Sequence, residues 1–285
     1  MNPESPPAIE PQLLKKQTRL IDFLKTLQEC VVAFSGGVDS AVVAKAAVLA
    51  LGQRSKAVMA ISPSVASGEV DQARMLANEM GIEFEVIETH ETVDPRYIQN
   101  DKRRCYYCKQ ELYQRLTQLA EQFPKTTILN GTNTDDLGDY RPGLEAAKEL
   151  GVLSPLVEAE INKQEVRLLA RHWNLGVWDK PATPCLSSRI AYGETVTPER
   201  LSMIDQAESI LKSLGFVELR VRYHSGDLAR IEVPESELLH LVKVAKEHQL
   251  EKRFQELGFR FVTLDLVGFR SGSLNTLVQI STSTL

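Results

Sequence analysis

Six consecutive residues, Ser35-Gly36-Gly37-Val38-Asp39-Ser40, combine the features that hold a polyphosphate. Two glycines let backbone amides approach an anion closely, and two serine hydroxyls add donors. The hexad follows an apolar run, Cys30-Val31-Val32-Ala33-Phe34, and leads into the alanine- and leucine-rich stretch Ala41 to Leu51, closed by Gly52. It reads as the turn from a buried strand into a helix, whose N-terminal N–H groups and dipole favour phosphate. The lysine of a Walker A loop is missing, and Gly-x-x-x-x-Gly-Lys-Ser/Thr occurs nowhere in the chain, which argues against chemistry at a γ-phosphate. Asp39 repels phosphate unless a divalent cation stands between them, so magnesium is expected at its carboxylate.

Other residues with chemical potential fall in three places. A long polar stretch, Asn130-Gly131-Thr132-Asn133-Thr134-Asp135-Asp136-Leu137-Gly138-Asp139-Tyr140-Arg141-Pro142-Gly143, follows an expected strand and carries amides, carboxylates and an arginine, more than a bland surface loop needs. Cys105 and Cys108 are three residues apart, on one face of the helix expected at Cys105 to Glu121, while Cys185 lies in Pro184-Cys185-Leu186-Ser187-Ser188-Arg189. On spacing alone the pair can bind one object together, and the thiols fit a zinc site, a redox pair or inert cysteines. Cys30 opens a buried strand, and no histidine has ligand spacing to the cysteine pair. Finally, the alternation Val217-Glu218-Leu219-Arg220-Val221-Arg222-Tyr223-His224 reads as a half-exposed strand with Arg220, Arg222 and His224 on its polar face. Arg220 and Arg222 could converge on one phosphate, joined by Ser188 and Arg189, or simply face solvent.

The elements that must position these residues alternate. Strands are expected at Ala57 to Ile61, Phe84 to Ile87, Thr127 to Asn130 and Val152 to Leu156, with helices at Leu13 to Leu27, Ser67 to Met80 and from the capping box Asn162-Lys163-Gln164-Glu165 toward Gly176. Such alternation implies an α/β fold with a parallel sheet. The proline cluster Pro181-Ala182-Thr183-Pro184 and the cap Thr197-Pro198 mark a change of pattern, so residues 13–185 are expected as the larger domain and 186–285 as a small α+β domain, after a disordered tail over 1–12. Within the small domain, a long helix is expected through Leu238, Leu241, Val242, Ala245 and Phe254, between strands Ala229 to Val233 and Phe261 to Leu266. The chain has 285 residues, 43% apolar and 25% charged, and a net charge of −5, which disfavours a broad nucleic-acid surface. No membrane span or signal peptide is visible, so a cytoplasmic location is expected.

The hexad and its setting resemble the PP-loop ATP pyrophosphatases over about residues 13 to 180. That resemblance implies ATP bound with its pyrophosphate on the loop and its α-phosphate open to attack. It assigns nucleotide binding to Ser35, Gly36, Gly37, Val38, Asp39 and Ser40, to Ser62 beyond the second strand, and to Gly131, Thr132, Asn133, Asp136 and Arg141. Together with Pro184-Cys185-Leu186-Ser187-Ser188-Arg189 and the late Gly268-Phe269-Arg270-Ser271-Gly272, these motifs are similar to the LarE family over nearly the whole chain. The family implies adenylylation of a carboxylate of pyridinium-3,5-biscarboxylic acid mononucleotide, then displacement of AMP by sulfur to give a thiocarboxylate. Single-cysteine members sacrifice the cysteine at the position of Cys185. Three cysteines instead resemble the branch in which Cys105, Cys108 and Cys185 hold a 4Fe-4S cluster. The resemblance also suggests a homo-oligomer, such as a hexamer, and leaves the upstream sulfur donor open. The rival readings are an amide-forming synthetase, a tRNA thiolase, and a non-catalytic metal or sulfur carrier on the same fold.

Overall fold

The structure, a computed structural model, describes residues 9–121, 125–138, 142–181 and 183–270. In chain order the first elements are α1 (Pro11–Lys25), β1 (Glu29–Ala33), α2 (Val38–Leu51), β2 (Ser55–Ile61), α3 (Glu69–Met80) and β3 (Glu83–Glu88). They are followed by α4 (Pro95–Ile98), α5 (Arg104–Ala120), β4 (Thr126–Leu129), α6 (Pro142–Glu149), α7 (Pro155–Glu158) and α8 (Lys163–His172). The last are α9 (Pro198–Ser213), β5 (Arg220–His224), β6 (Leu228–Glu232), α10 (Leu238–Glu247), α11 (Leu250–Glu256) and β7 (Phe261–Leu264). Two compact units result, and each is described by itself. The first comprises the described residues of Met1–Ser62, Gly68–Glu91 and Cys105–Thr183; the second, those of Pro63–Ser67, Thr92–Arg104 and Pro184–Leu285.

In the first unit, all the strands run parallel in the order β3-β2-β1-β4. Cys30 is in register with Ser55 on one side and Thr127 on the other. Strand order therefore reverses between β1 and β4, and a crevice at their C-terminal ends is where such sheets take ligands. Both polar loops singled out in the sequence, after Ala33 and after Leu129, emerge there. The helix that follows the first loop, α2, is buried over most of its surface: Ala41, Val42, Val43, Ala44, Ala46 and Ala47 are fully enclosed. Small side chains let it lie close to the sheet while α1 and α8 pack on it. Because successive strand residues face opposite ways, Val31 and Val58 turn to the other side, where they join Ile128, Tyr113 and Leu116 in a second apolar layer under α5.

Three elements differ from their sequence patterns. The strand expected at Val152 to Leu156 shrinks to a single bridge, Leu129 to Leu153, because Pro155 has no N–H to donate and instead opens α7. The long helix expected through Phe254 is broken into α10 and α11 at Gln249, whose φ of 50° is left-handed. The strand read as half-exposed is buried on both faces: Arg220 is 6% and Arg222 2% exposed. In the second unit β5 pairs antiparallel with β6, which pairs parallel with β7. Carboxylates inside that unit neutralise the arginines, so alternation of charge did not mean alternation of exposure.

The capping box at α8 forms as expected: Asn162 Oδ1 accepts from Glu165 N at 2.9 Å, and Glu165 Oε2 accepts from Asn162 N at 2.9 Å. Asn162→Ala should lower stability by about 1 kcal/mol, read from the urea midpoint, as both halves of the reciprocal cap loosen.

Candidate active site

The ladder extends one residue past β1, where Phe34 N donates to Val58 O at 2.9 Å, and the chain then turns. Gly36 makes that turn with a φ of +69°, and Gly37 becomes the N-cap of α2 with no side-chain cap. The serines brace the turn from inside. Ser40 Oγ donates to Gly37 O at 3.0 Å and accepts from Ser35 N at 3.2 Å, while Ser35 Oγ accepts from Gly37 N at 3.3 Å. The amides at the start of α2 have no partner within the helix, and the dipole adds its positive end. The bare cap is therefore a ready anion cradle.

The loop after β4 closes on this turn without a side chain in between. A Cβ at Gly131 would lie 2.8 Å from Ser40 N and 3.0 Å from the Asp39 carbonyl carbon, so only glycine permits the approach. Asn133, buried, donates from Nδ2 to Asp39 Oδ1 at 3.1 Å and, from its own N–H, to Asp136 Oδ2 at 3.1 Å. Thr132 N donates to Asn130 Oδ1 at 3.0 Å. Asp39 Oδ2 receives a second donor, the ammonium of Lys163 at the start of α8. Ser62 follows β2 and donates its hydroxyl to the buried Glu91 at 2.5 Å. Thus the structure gathers Ser35, Gly36, Gly37, Val38, Asp39, Ser40, Gly131, Thr132, Asn133 and Asp136 at one sheet edge; Arg141 lies outside the described residues.

Of the thiols, Cys105 and Cys108 stand on the first turn of α5, the former exposed and the latter half-buried. Cys30 is buried in β1, and burial, opposed weakly by Arg54, pushes its thiol up to about 12, which makes it inert. In the second unit Cys185 is exposed at the N-cap of the short 3-10 turn Leu186–Arg189. That turn is firmly held: Leu186 N donates to Ser64 O at 2.9 Å, Ser187 Oγ meets Tyr97 Oη at 2.5 Å, and Arg104 Nη1 donates to Ser187 O at 2.8 Å. Among the described residues no three thiol, imidazole or carboxylate groups are assembled as a metal site.

Arg189 extends from the same turn, where Nε donates to Glu208 Oε1 at 3.0 Å and Nη1 holds the Pro184 and Cys185 carbonyls. Arg222 Nε donates to Glu232 at 3.1 Å and its Nη1 to Ser188 O at 2.8 Å. Arg220 is placed differently. Among the described residues its guanidinium makes no hydrogen bond, the guanidinium carbon lies 4.6 Å from the Phe269 ring centre, and burial, then the like charge of Arg189, pulls its pKa down. Ser188, Arg189, Arg220 and Arg222 are therefore close neighbours; the donors of Arg189 and Arg222 are largely used, and those of Arg220 are not.

Sequence reasoning overlooked Lys163, Glu208 and Glu232. Each carried a signal. Lys163 puts a positive charge on the first turn of a helix, against the dipole. Glu208 falls on the apolar stripe of α9 with Leu201, Ile204 and Leu211. Glu232 sits in a strand directly opposite Arg220.

The comparisons bear on both units. A family profile described as NAD synthase matches residues 17–116. The chain is 40% identical over 274 residues to the pyridinium-3,5-bisthiocarboxylic acid mononucleotide synthase of Lactiplantibacillus plantarum, covering 95% of this chain and 98% of that one. It belongs to that synthase family. An uncharacterized protein of Synechocystis sp. is 44% identical over 92% of this chain and 98% of its own. The NH(3)-dependent NAD(+) synthetase of Pyrococcus furiosus is 39% identical over only 28% of this chain and 32% of its own. Membership in the synthase family makes this an enzyme of the PP-loop α/β fold. Among the described residues no helix is long and apolar enough to cross a membrane.

Two substitutions test the geometry. Gly131→Ala must push the α2 turn out of place, and is expected to cost about 1–3 kcal/mol and to weaken ATP binding tenfold or more, as measured by denaturation and calorimetry. Glu208→Ala strands the buried Arg189 and should destabilise the protein by about 3–5 kcal/mol in the same denaturation assay.

Proposed function

We propose that the protein is an ATP-dependent sulfur transferase that adenylylates a carboxylate of pyridinium-3,5-biscarboxylic acid mononucleotide and converts it to a thiocarboxylate. The observation that carries this reading is the bare, glycine-turned N-terminus of α2, abutted by Gly131, in a chain similar from end to end to a synthase named for the bisthiocarboxylic acid product. The synthetase likeness in Pyrococcus furiosus stops at about a quarter of the chain, which supports shared ATP chemistry with a different second substrate.

In this account the amides of residues 36–40 and the hydroxyls of Ser35 and Ser40 bind the β- and γ-phosphoryl groups. Ser62, Gly131, Thr132, Asn133 and Asp136 complete the nucleotide site, together with Arg141, which lies outside the described residues. Asp39 fits a magnesium ion, since one carboxylate plus phosphate oxygens suffices for that cation, and the ion supplies charge neutralisation of the polyphosphate. A substrate carboxylate oxygen attacks the α-phosphorus, the bond to pyrophosphate breaks, and an acyl adenylate forms. Sulfur then adds to the acyl carbon and AMP departs with its oxygen, leaving the thiocarboxylate. Ser188, Arg189, Arg220 and Arg222 receive the mononucleotide phosphate, Arg220 having the most unused donors.

For sulfur delivery the donor set of three cysteines, two of them exposed, fits a 4Fe-4S cluster held by Cys105, Cys108 and Cys185. When bound, such a cluster supplies an exchangeable sulfide at the iron that has no protein thiolate. The firm anchoring of the 3-10 turn through Ser187 and Arg104 keeps Cys185 at a set position without itself consuming the thiol. The small domain, residues 186–285, also serves assembly into a cytoplasmic homo-oligomer.

With ATP and the dicarboxylated mononucleotide, the anaerobically purified protein should be brown, release AMP and pyrophosphate in equal amounts, and turn over repeatedly when sulfide is supplied. Cys108→Ser should lose the iron absorbance while keeping ATP affinity. Colourless, iron-free protein whose mass drops by one hydrogen sulfide at Cys185 per turnover would replace the cluster by sacrifice of that cysteine; ADP and orthophosphate as products would sink the adenylylation itself.

A further inference from the structure

Lys163 has no role in the reading above, yet its ammonium binds the carboxylate of the nucleotide loop. Its position is not explained by the helix it opens. A cation on the first turn of α8 opposes the dipole, and that helix is already secured by its capping box and by Lys163 N donating to Asp135 Oδ2 at 3.1 Å. Nor does the ion pair contribute much stability. The side chains of Lys163 and Asp39 are 37% and 24% exposed, and pairs so open to solvent contribute little. Such a pair can change partners readily. Asp39 meanwhile has a second donor, Asn133 Nδ2 at 3.1 Å, that would keep its carboxylate oriented if the ammonium left.

We propose that Lys163 is a phosphate ligand parked on Asp39, and that it moves to the pyrophosphate portion of ATP when magnesium claims the carboxylate. The proposal rests on the ATP reading. It also gives this loop, which has no lysine within its own glycine turn, a mobile point charge delivered from another helix. The ammonium neutralises Asp39 before the nucleotide arrives, so that the carboxylate does not repel it. Afterwards it bears on the leaving group, whose charge grows as the α-phosphorus is attacked.

The test is equilibrium binding of inorganic pyrophosphate, ATP and AMP, each with magnesium, to full-length wild type, Lys163→Ala and Lys163→Arg, with thermal unfolding of each unliganded protein as the folding control. Lys163→Ala should unfold near the wild-type temperature and bind AMP within about twofold of wild type, but lose about tenfold or more in affinity for pyrophosphate, the effect of one charge-assisted hydrogen bond. Lys163→Arg should recover part of that loss. A direct contact also predicts that the loss persists when Lys163→Ala is combined with Asp39→Asn. Unchanged pyrophosphate affinity in Lys163→Ala, or a loss that disappears in the Asp39→Asn background, overturns the proposal. Wild-type protein that binds neither pyrophosphate nor ATP overturns the ATP reading first.

Discussion

The carboxylate of Asp39 stands at the start of a helix whose amides and dipole invite an anion, and much of the first unit follows from keeping that charge compatible with polyphosphate. Strand order brings β1 and β4 side by side, so the loops that leave them meet. Gly131 removes the side chain that would hold those loops apart, and Asn133 and Lys163 then reach Asp39. The capping box of α8 fixes where Lys163 begins, and burial of the first turns of α2 fixes where the cradle points. A polar site is thus held by apolar packing on both faces of one sheet.

The second unit solves a different electrostatic problem. Arg189 and Glu208, and Arg222 and Glu232, are ion pairs almost withdrawn from water. Desolvation consumes most of the attraction in such pairs, so their value lies less in stability than in geometry. Arg189 gathers the carbonyls of Pro184 and Cys185, Arg222 that of Ser188, and Arg104 that of Ser187. Charges that cannot be hydrated hold a short turn rigid and leave the Cys185 thiol exposed at its end.

Much of the first unit was legible in the sequence because each signal there is local. A buried strand, two glycines, a helix of small residues and a capping box all act over a few neighbouring positions, and the structure has them within a residue or two. The strand at Val152 failed for an equally local reason, since Pro155 was counted as part of an apolar run rather than as a residue without a donor. What escaped depends on partners far along the chain. Arg220 and Arg222 looked solvated because alternation says nothing about Glu208 and Glu232, and Lys163 looked like part of a cap because Asp39 lies more than a hundred residues away. The break at Gln249 carries no glycine or proline to announce it. The three-cysteine arrangement likewise came from resemblance rather than from spacing.

The central claim is that the loop grips the outer two phosphoryl groups and leaves the α-phosphorus to a substrate carboxylate. The most direct measurement is the fate of that carboxylate's oxygen. If the mononucleotide is labelled with heavy oxygen in its carboxylates and turned over once with unlabelled ATP, mass spectrometry should find one labelled oxygen in AMP and none in pyrophosphate. Label that stays out of AMP, while thiocarboxylate still forms, would contradict the account.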